Sequence, residues 1–144
     1  MSTQPTGAVM VVGGGVAGIQ AAMDLADSGY YVYIVEKTPA IGGVMGALDK
    51  TFPTIDCSMC ILSPYLVAAG RHPNIELVTY ARLQSVSGEP GRFKAVVHKR
   101  ARSIHEDRCT GCRACVDACP VTHTAGPKKT AAVSGKGLTP CKSI

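Results

Sequence analysis

With 144 residues, 46% of them hydrophobic and 17% charged, the chain has room for about one packed domain and is excluded from the polar, disordered class. The longest weakly polar stretch, residues 7–23, is broken by three successive glycines and Gln20, and no basic residue precedes it, which argues against a signal peptide or a membrane-spanning helix. The net charge of +5 is uneven: residues 1–91 sum to −3 and residues 92–144 to +8, and the basic part also holds five of the seven cysteines.

In chain order, AVMVVGGGVAGIQAAMDLADSGYYVYIVEK has the layout of strand, glycine turn, helix and strand. Residues 9–12 form an apolar run without breakers, as in a parallel strand buried on both faces. Gly13, Gly15 and Gly18 supply G-x-G-x-x-G: the first for a tight turn, the second for close approach of a pyrophosphate, the third for helix against strand. The N–H groups of Val16 and Ala17 would then point at phosphates. Residues 16–28 are rich in helix formers and stop at Gly29. Residues 31–35 return as the second strand, which ends at Glu36, 21 residues after Gly15, where a carboxylate accepts ribose hydroxyls and repels a 2'-phosphate. Lys37 joins the expected cofactor-binding set. The following Gly42 and Gly43 are either a flexible loop or a second glycine approach to a cofactor. The order of features predicts a dinucleotide site, with FAD and NAD both open on these residues.

Further along, residues 61–69 read as a short helix interrupted early by Pro64, and residues 75–80 as a strand. LQSVSGEPGRFKAVVHK is a hairpin signal, two alternating runs joined by Gly88, Glu89, Pro90 and Gly91. Cys57 and Cys60, spaced C-x-x-C, have three readings: ligands of iron or zinc, a redox dithiol, or small buried hydrophobes. Arg71 and His72 read as a solvated turn, and His98, His105 and His123 show no ligand spacing.

Residues 105–121, HEDRCTGCRACVDACPV, carry the sharpest local signal. Cys109, Cys112 and Cys115 at C-x-x-C-x-x-C wrap three irons of a cubane, Gly111 permits the turn between ligands, and Cys119-Pro120 completes the ferredoxin run; zinc is the rival. In two-cluster ferredoxins the fourth cysteine of a run ligates the other cluster, so one run leaves a ligand unaccounted for. The surrounding basic residues, Arg100, Arg102, Lys128 and Lys129 among them, have almost no aromatic companions, and a solvated face is the expectation rather than nucleic-acid binding. Without an export signal, seven cysteines read as metal or redox residues of a reducing cytoplasm. No acid, base or nucleophile stands out as catalytic.

The glycine turn with KTPAIGGVMG resembles the two-dinucleotide-binding-domain flavoproteins, which favours FAD over NAD. With IGGVMGALDKTFPTIDCSMCILSP, GRHPNIELVTY and EDRCTGCRACVDACPV added, residues 8–121 resemble the N-terminal part of the A subunit of heterodisulfide reductase and related flavin subunits of quinone-interacting membrane-bound oxidoreductase complexes. That resemblance implies an FAD- and 4Fe-4S-containing electron carrier. It gives Gly13, Gly15, Gly18, Glu36 and Gly43 to FAD, and Cys109, Cys112, Cys115 and Cys119 to clusters of an inserted ferredoxin domain. As partners it implies disulfide-reducing subunits, ferredoxin and a hydrogenase or formate dehydrogenase module, with no nucleic acid and no membrane span. The fold expected is α/β: a partial Rossmann-like FAD-binding segment with a β-hairpin (1–104), the start of a ferredoxin-like insertion (105–121) and a basic, disordered tail (122–144). Family members are longer, with a second ferredoxin run after CPV, so a truncated product or fragment is expected. A flavin-free ferredoxin-like carrier and an NAD-binding oxidoreductase domain are the alternatives.

Overall fold

Apolar runs separated by a glycine turn produce a parallel β–α–β unit at the start of the chain. The computed structural model describes residues 7–102, 104, 105, 108–119, 122–125 and 128–131. In order these form β1 (Ala8–Val12), α1 (Val16–Asp27), β2 (Tyr31–Val35), a 3-10 turn (Met45–Ala47), α2 (Ser58–Arg71), β3 (Ile75–Val78), β4 (Ala81–Glu89), β5 (Arg92–Lys99), α3 (Ala114–Asp117), β6 (Thr122–Ala125) and β7 (Lys128–Ala131). Two compact units divide after Arg100.

In the first unit β1, β2 and β3 make a parallel sheet with β2 in the middle; Val9 pairs with Val32 and Val32 with Ile75. Val32 and Ile34 of β2 pack against Ala22 and Ala26 of α1, whose small side chains let the helix lie close to the sheet. A second apolar group, Ile19 with Leu62 and Ala69, holds α2 onto α1. Burial on both faces, expected for β1, is not found: its residues are exposed or half-buried, Val12 at 59%, and the buried residues of the sheet are Val32, Ile34 and Val35 of β2, where Tyr33 stays exposed.

Helix boundaries follow local chemistry. Helix α1 ends in a Schellman arrangement, with the Gly29 N–H donating to Ala26 O at 3.0 Å, the Tyr30 N–H donating to Leu25 O at 3.1 Å, and Gly29 at φ +93°. Helix α2 begins three residues earlier than its sequence predicts and carries Pro64 inside it. Its start is fixed by Ser58, fully buried, whose hydroxyl lies within bonding distance of the Met45 and Leu48 carbonyls. Burial of Leu62 and Ala69 on either side of Pro64 outweighs the one backbone bond that proline removes. The hairpin forms as expected: Glu89 pairs with Arg92 across Pro90-Gly91, and the register shifts between Leu83 and Ser85.

The second unit holds the single turn α3 and an antiparallel pair, β6 with β7. Those strands lie where composition predicts a tail without structure; threonines at 122, 124 and 130 carry the strand propensity that small size and charge obscure. Residues 132–144 of the expected tail, Cys141 included, lie outside the described residues.

Candidate functional site

Strand β1 delivers the chain to Gly13, whose φ of +109° no β-branched residue tolerates and whose N–H donates to Val35 O at 2.8 Å. The turn therefore hangs on the end of β2. Gly15 is the N-cap of α1 in extended conformation, with no side-chain cap and no acid in the first helical turn. A methyl group added at Gly15 meets nothing within 4 Å, whereas one at Gly18 overlaps the Gly13 carbonyl oxygen. The three motif glycines thus differ in their surroundings: Gly13 turns the chain, the space at Gly15 in front of the helix is open, and Gly18 seats the helix. Val16 and Ala17 lie at that clearing, Val16 exposed at 48%.

Glu36 is 6% exposed, and its carboxylate is tied back to the glycine turn. Oε2 accepts from the Gly14 N–H at 2.6 Å, and Oε1 accepts from the Thr38 N–H at 2.8 Å and faces the Thr38 hydroxyl at 2.7 Å. That hydroxyl has one proton and a second acceptor, Ala40 O, at 2.7 Å. When the proton turns to Ala40, each Glu36 oxygen retains a lone pair, enough for one ribose hydroxyl apiece. Burial pushes the Glu36 carboxyl up, but the Thr38 and Gly14 donors and the Lys37 charge outweigh it and hold the group below the ordinary carboxylate value. A group more acidic when folded stabilises the fold above its unfolded value of about 4.3 and loses that contribution as pH falls through the folded value. The melting temperature of the chain is therefore expected to drop on acidification below about pH 4.3 more steeply than that of Glu36→Gln. Parallel declines in calorimetric scans would exclude Glu36 as the cause.

Motif spacing treats Gly14 as a free position, and the structure gives it a definite part. A methyl group there lands 2.7 Å from Ile41 Cγ2, and its carbonyl accepts from the Gly42 N–H at 2.7 Å. Gly14 thereby locks the Gly42-Gly43 loop over the turn; its place in the middle of an unbroken row of three glycines is the signal that points to it. At Gly43, with φ +58°, an added Cβ would sit 2.9 Å from the Gly15 Cα, so this pair is a tightly packed approach rather than a loose loop. Lys37 is exposed and touches the site only through its charge on Glu36.

The cysteine run lies in the second unit. None of its four cysteines is in a disulfide; Cys109, Cys112 and Cys115 are exposed and Cys119 is half-buried. Gly111 takes φ +72° and Arg113 φ +68°, which bends the chain on either side of Cys112. The Ala114 N–H and then the Thr110 hydroxyl hold the Cys112 thiol below its ordinary value, the N–H···S pattern a thiolate ligand needs. Among the described residues no three of His, Cys, Asp and Glu converge on a metal position, so the right donor set is present without being gathered. Cys57 and Cys60 are exposed and joined as a disulfide, which removes the buried-hydrophobe reading.

Comparison with known proteins matches both regions. Residues 8–55 fit the family model "FAD dependent oxidoreductase", and residues 102–121 fit "4Fe-4S binding domain". The chain is 60% identical over 112 residues to the A subunit of the H(2):CoB-CoM heterodisulfide,ferredoxin reductase of Methanothermobacter thermautotrophicus, covering 78% of this chain and 17% of that protein. It is 53% identical over 112 residues to the A subunit of the H(2)/formate:CoB-CoM heterodisulfide,ferredoxin reductase of Methanococcus maripaludis, with the same coverage. A crystal structure of L-proline dehydrogenase from P. horikoshii shares the fold at TM-score 0.52 and 22% identity, over 67% of this chain and 20% of that one. The chain thus combines an FAD-binding segment with a 4Fe-4S segment and resembles the A subunit of heterodisulfide reductase, spanning about a sixth of the relatives it matches. Gly15's clearing and the Glu36 carboxylate fit the ADP half of FAD, and the four thiols fit an iron–sulfur cluster by donor chemistry.

Proposed function

We propose that this chain is the FAD- and iron–sulfur-bearing part of an electron-transfer oxidoreductase, of the kind represented by the A subunit of heterodisulfide reductase. The observation that carries the reading is the coupling of the glycine turn to Glu36 through Gly14, in the same chain as a four-cysteine ferredoxin run. Gly13, Gly15 and Gly18, with the N–H groups of Val16 and Ala17, hold the pyrophosphate; Glu36 orients the ribose; Gly42 and Gly43 approach the flavin side, with Lys37 adding charge nearby. Cys109, Cys112 and Cys115 hold three corners of a cluster, and Cys119 serves as the remaining cysteine of the run. When bound, the flavin supplies two-electron exchange and the cluster one-electron carriage.

The chain's own residues bind, orient and insulate these groups. The FAD segment occupies 1–104, the cluster segment 105–121 and a basic extension 122–144, in keeping with the division of compact units after Arg100. Relatives whose names include H(2), formate and ferredoxin support partners of those classes, alongside disulfide-reducing subunits, and the location we propose is the cytoplasm. No helix among the described residues is long and apolar enough to cross a membrane. Anaerobic photoreduction of the loaded chain is the test: bleaching of the flavin should be accompanied by the electron paramagnetic resonance signal of a reduced cluster. Full bleaching with a silent cluster would overturn electron transfer between them.

A further inference from the structure

We propose that Cys57 and Cys60 form a redox-active disulfide, a third electron-accepting group on this chain beyond FAD and the cluster. Three observations meet here. The pair caps a 14-residue helix: Cys57 is the N-cap of α2, its Sγ accepts from the Cys60 N–H at 3.2 Å, and no acidic side chain stands in the first turn. The positive end of the helix and that N–H stabilise a thiolate on Cys57 when the bond is open. Both residues are exposed, so a donor reaches the sulfurs.

The frame beneath them holds without the disulfide. Ser58, between the two, is buried and anchored by its hydroxyl at Met45 and Leu48, and its N–H donates to Asp49 O at 3.2 Å. The Thr51 N–H donates to Asp56 O at 2.9 Å, and Lys50 bridges to Cys57. The joined cysteines lie at a Cα separation of 5.2 Å, with backbone bonds that do not pass through the disulfide on either side of them. A bond closing a sequence separation of three also constrains the unfolded chain least, which makes a purely structural purpose weak. In a reducing compartment such a bond belongs to the catalytic or sensing class.

The reaction is a two-electron exchange with a dithiol. One donor thiolate attacks Cys57 Sγ, the Cys57–Cys60 bond breaks, and Cys60 leaves as a thiolate that takes up a proton. The second donor thiolate then attacks the donor sulfur of the mixed disulfide, and Cys57 leaves. The donor ends as its own disulfide, having passed two electrons; one proton goes to Cys60, Cys57 stays a thiolate, the donor's other proton goes to solvent, and oxidation of the chain runs the same steps backwards.

The test uses the full chain, loaded with FAD and cluster and equilibrated anaerobically against graded mixtures of reduced and oxidised glutathione, then alkylated with N-ethylmaleimide and digested with trypsin. Peptide 51–71 holds both cysteines and no other. It is expected to gain two adducts together, in one reversible step within the accessible glutathione range. A peptide that stays bridged at every ratio would mark an inert structural bond and overturn the proposal. In Cys60→Ser, Cys57 should be alkylated at least ~10-fold faster than Cys60 is in Cys57→Ser, because the helix start and the Cys60 N–H favour a thiolate on Cys57; equal rates would remove Cys57 as the sulfur that exchanges with the donor. Loss of iron from the Cys57→Ser/Cys60→Ser double variant with flavin retained would replace the redox role with ligation. The wild-type titration needs no substitution, and it stands apart from flavin-to-cluster transfer, whose failure would leave peptide 51–71 unaffected.

Discussion

Replacing Gly18 by alanine is expected to lower the melting temperature of the first unit markedly and to weaken FAD binding with it. The added Cβ falls on the Gly13 carbonyl oxygen and within 3.4 Å of Val11 Cγ1. Neither neighbour gives way easily: the Gly13 carbonyl is backbone, anchored by the Gly13 N–H to Val35 O, and Val11 lies against the main core. Relief requires α1 to move off β1, which opens the contacts of Ala22 and Ala26 with β2. Overpacking of this kind costs about 1–3 kcal/mol, a substantial part of the roughly 5–15 kcal/mol that holds a domain together. Gly15→Ala is the control, because its Cβ meets nothing within 4 Å. Melting should be nearly unchanged there, while FAD affinity falls by about 100-fold or more as the methyl occupies the pyrophosphate's place. Calorimetry with flavin-fluorescence titration separates the two; equal melting loss in both variants would sink the division between seating and clearing.

Cys112→Ser is expected to bring iron and acid-labile sulfide to background while leaving flavin content unchanged. An alcohol is a much poorer iron ligand than a thiolate at neutral pH, and Cys112 is the member of the run whose neighbours, the Ala114 N–H and the Thr110 hydroxyl, favour the thiolate. Retention of full iron in this variant would show that the cluster is held elsewhere. Loss of flavin together with iron would contradict separate cofactor segments.

The parallel unit was legible because its signals are local: three glycines at fixed offsets, a helix ended by Gly29 and an acid at the end of β2. Long-range consequences were not. The acid at the end of β2 was readable from spacing, but the bond of Glu36 to the Gly14 N–H depends on β2 ending beside the turn, which no spacing displays. Gly14 itself hid in a variable position of the motif. Pro64 argued for a broken helix, and the packing of Leu62 and Ala69 overrode it. For Cys57 and Cys60 the C-x-x-C spacing left three chemistries open, and only the helix start and exposure separate them. The ferredoxin run was plain from spacing alone, since its chemistry is carried by residue type and interval rather than by tertiary contact.

The central claim is that one chain carries both FAD and an iron–sulfur cluster. Its most direct measurement is the count of flavin, iron and acid-labile sulfide per chain in a single preparation reconstituted anaerobically with iron, sulfide and FAD. One flavin with about four irons and four sulfides per chain is the predicted result; iron without flavin, or flavin without iron, would contradict it.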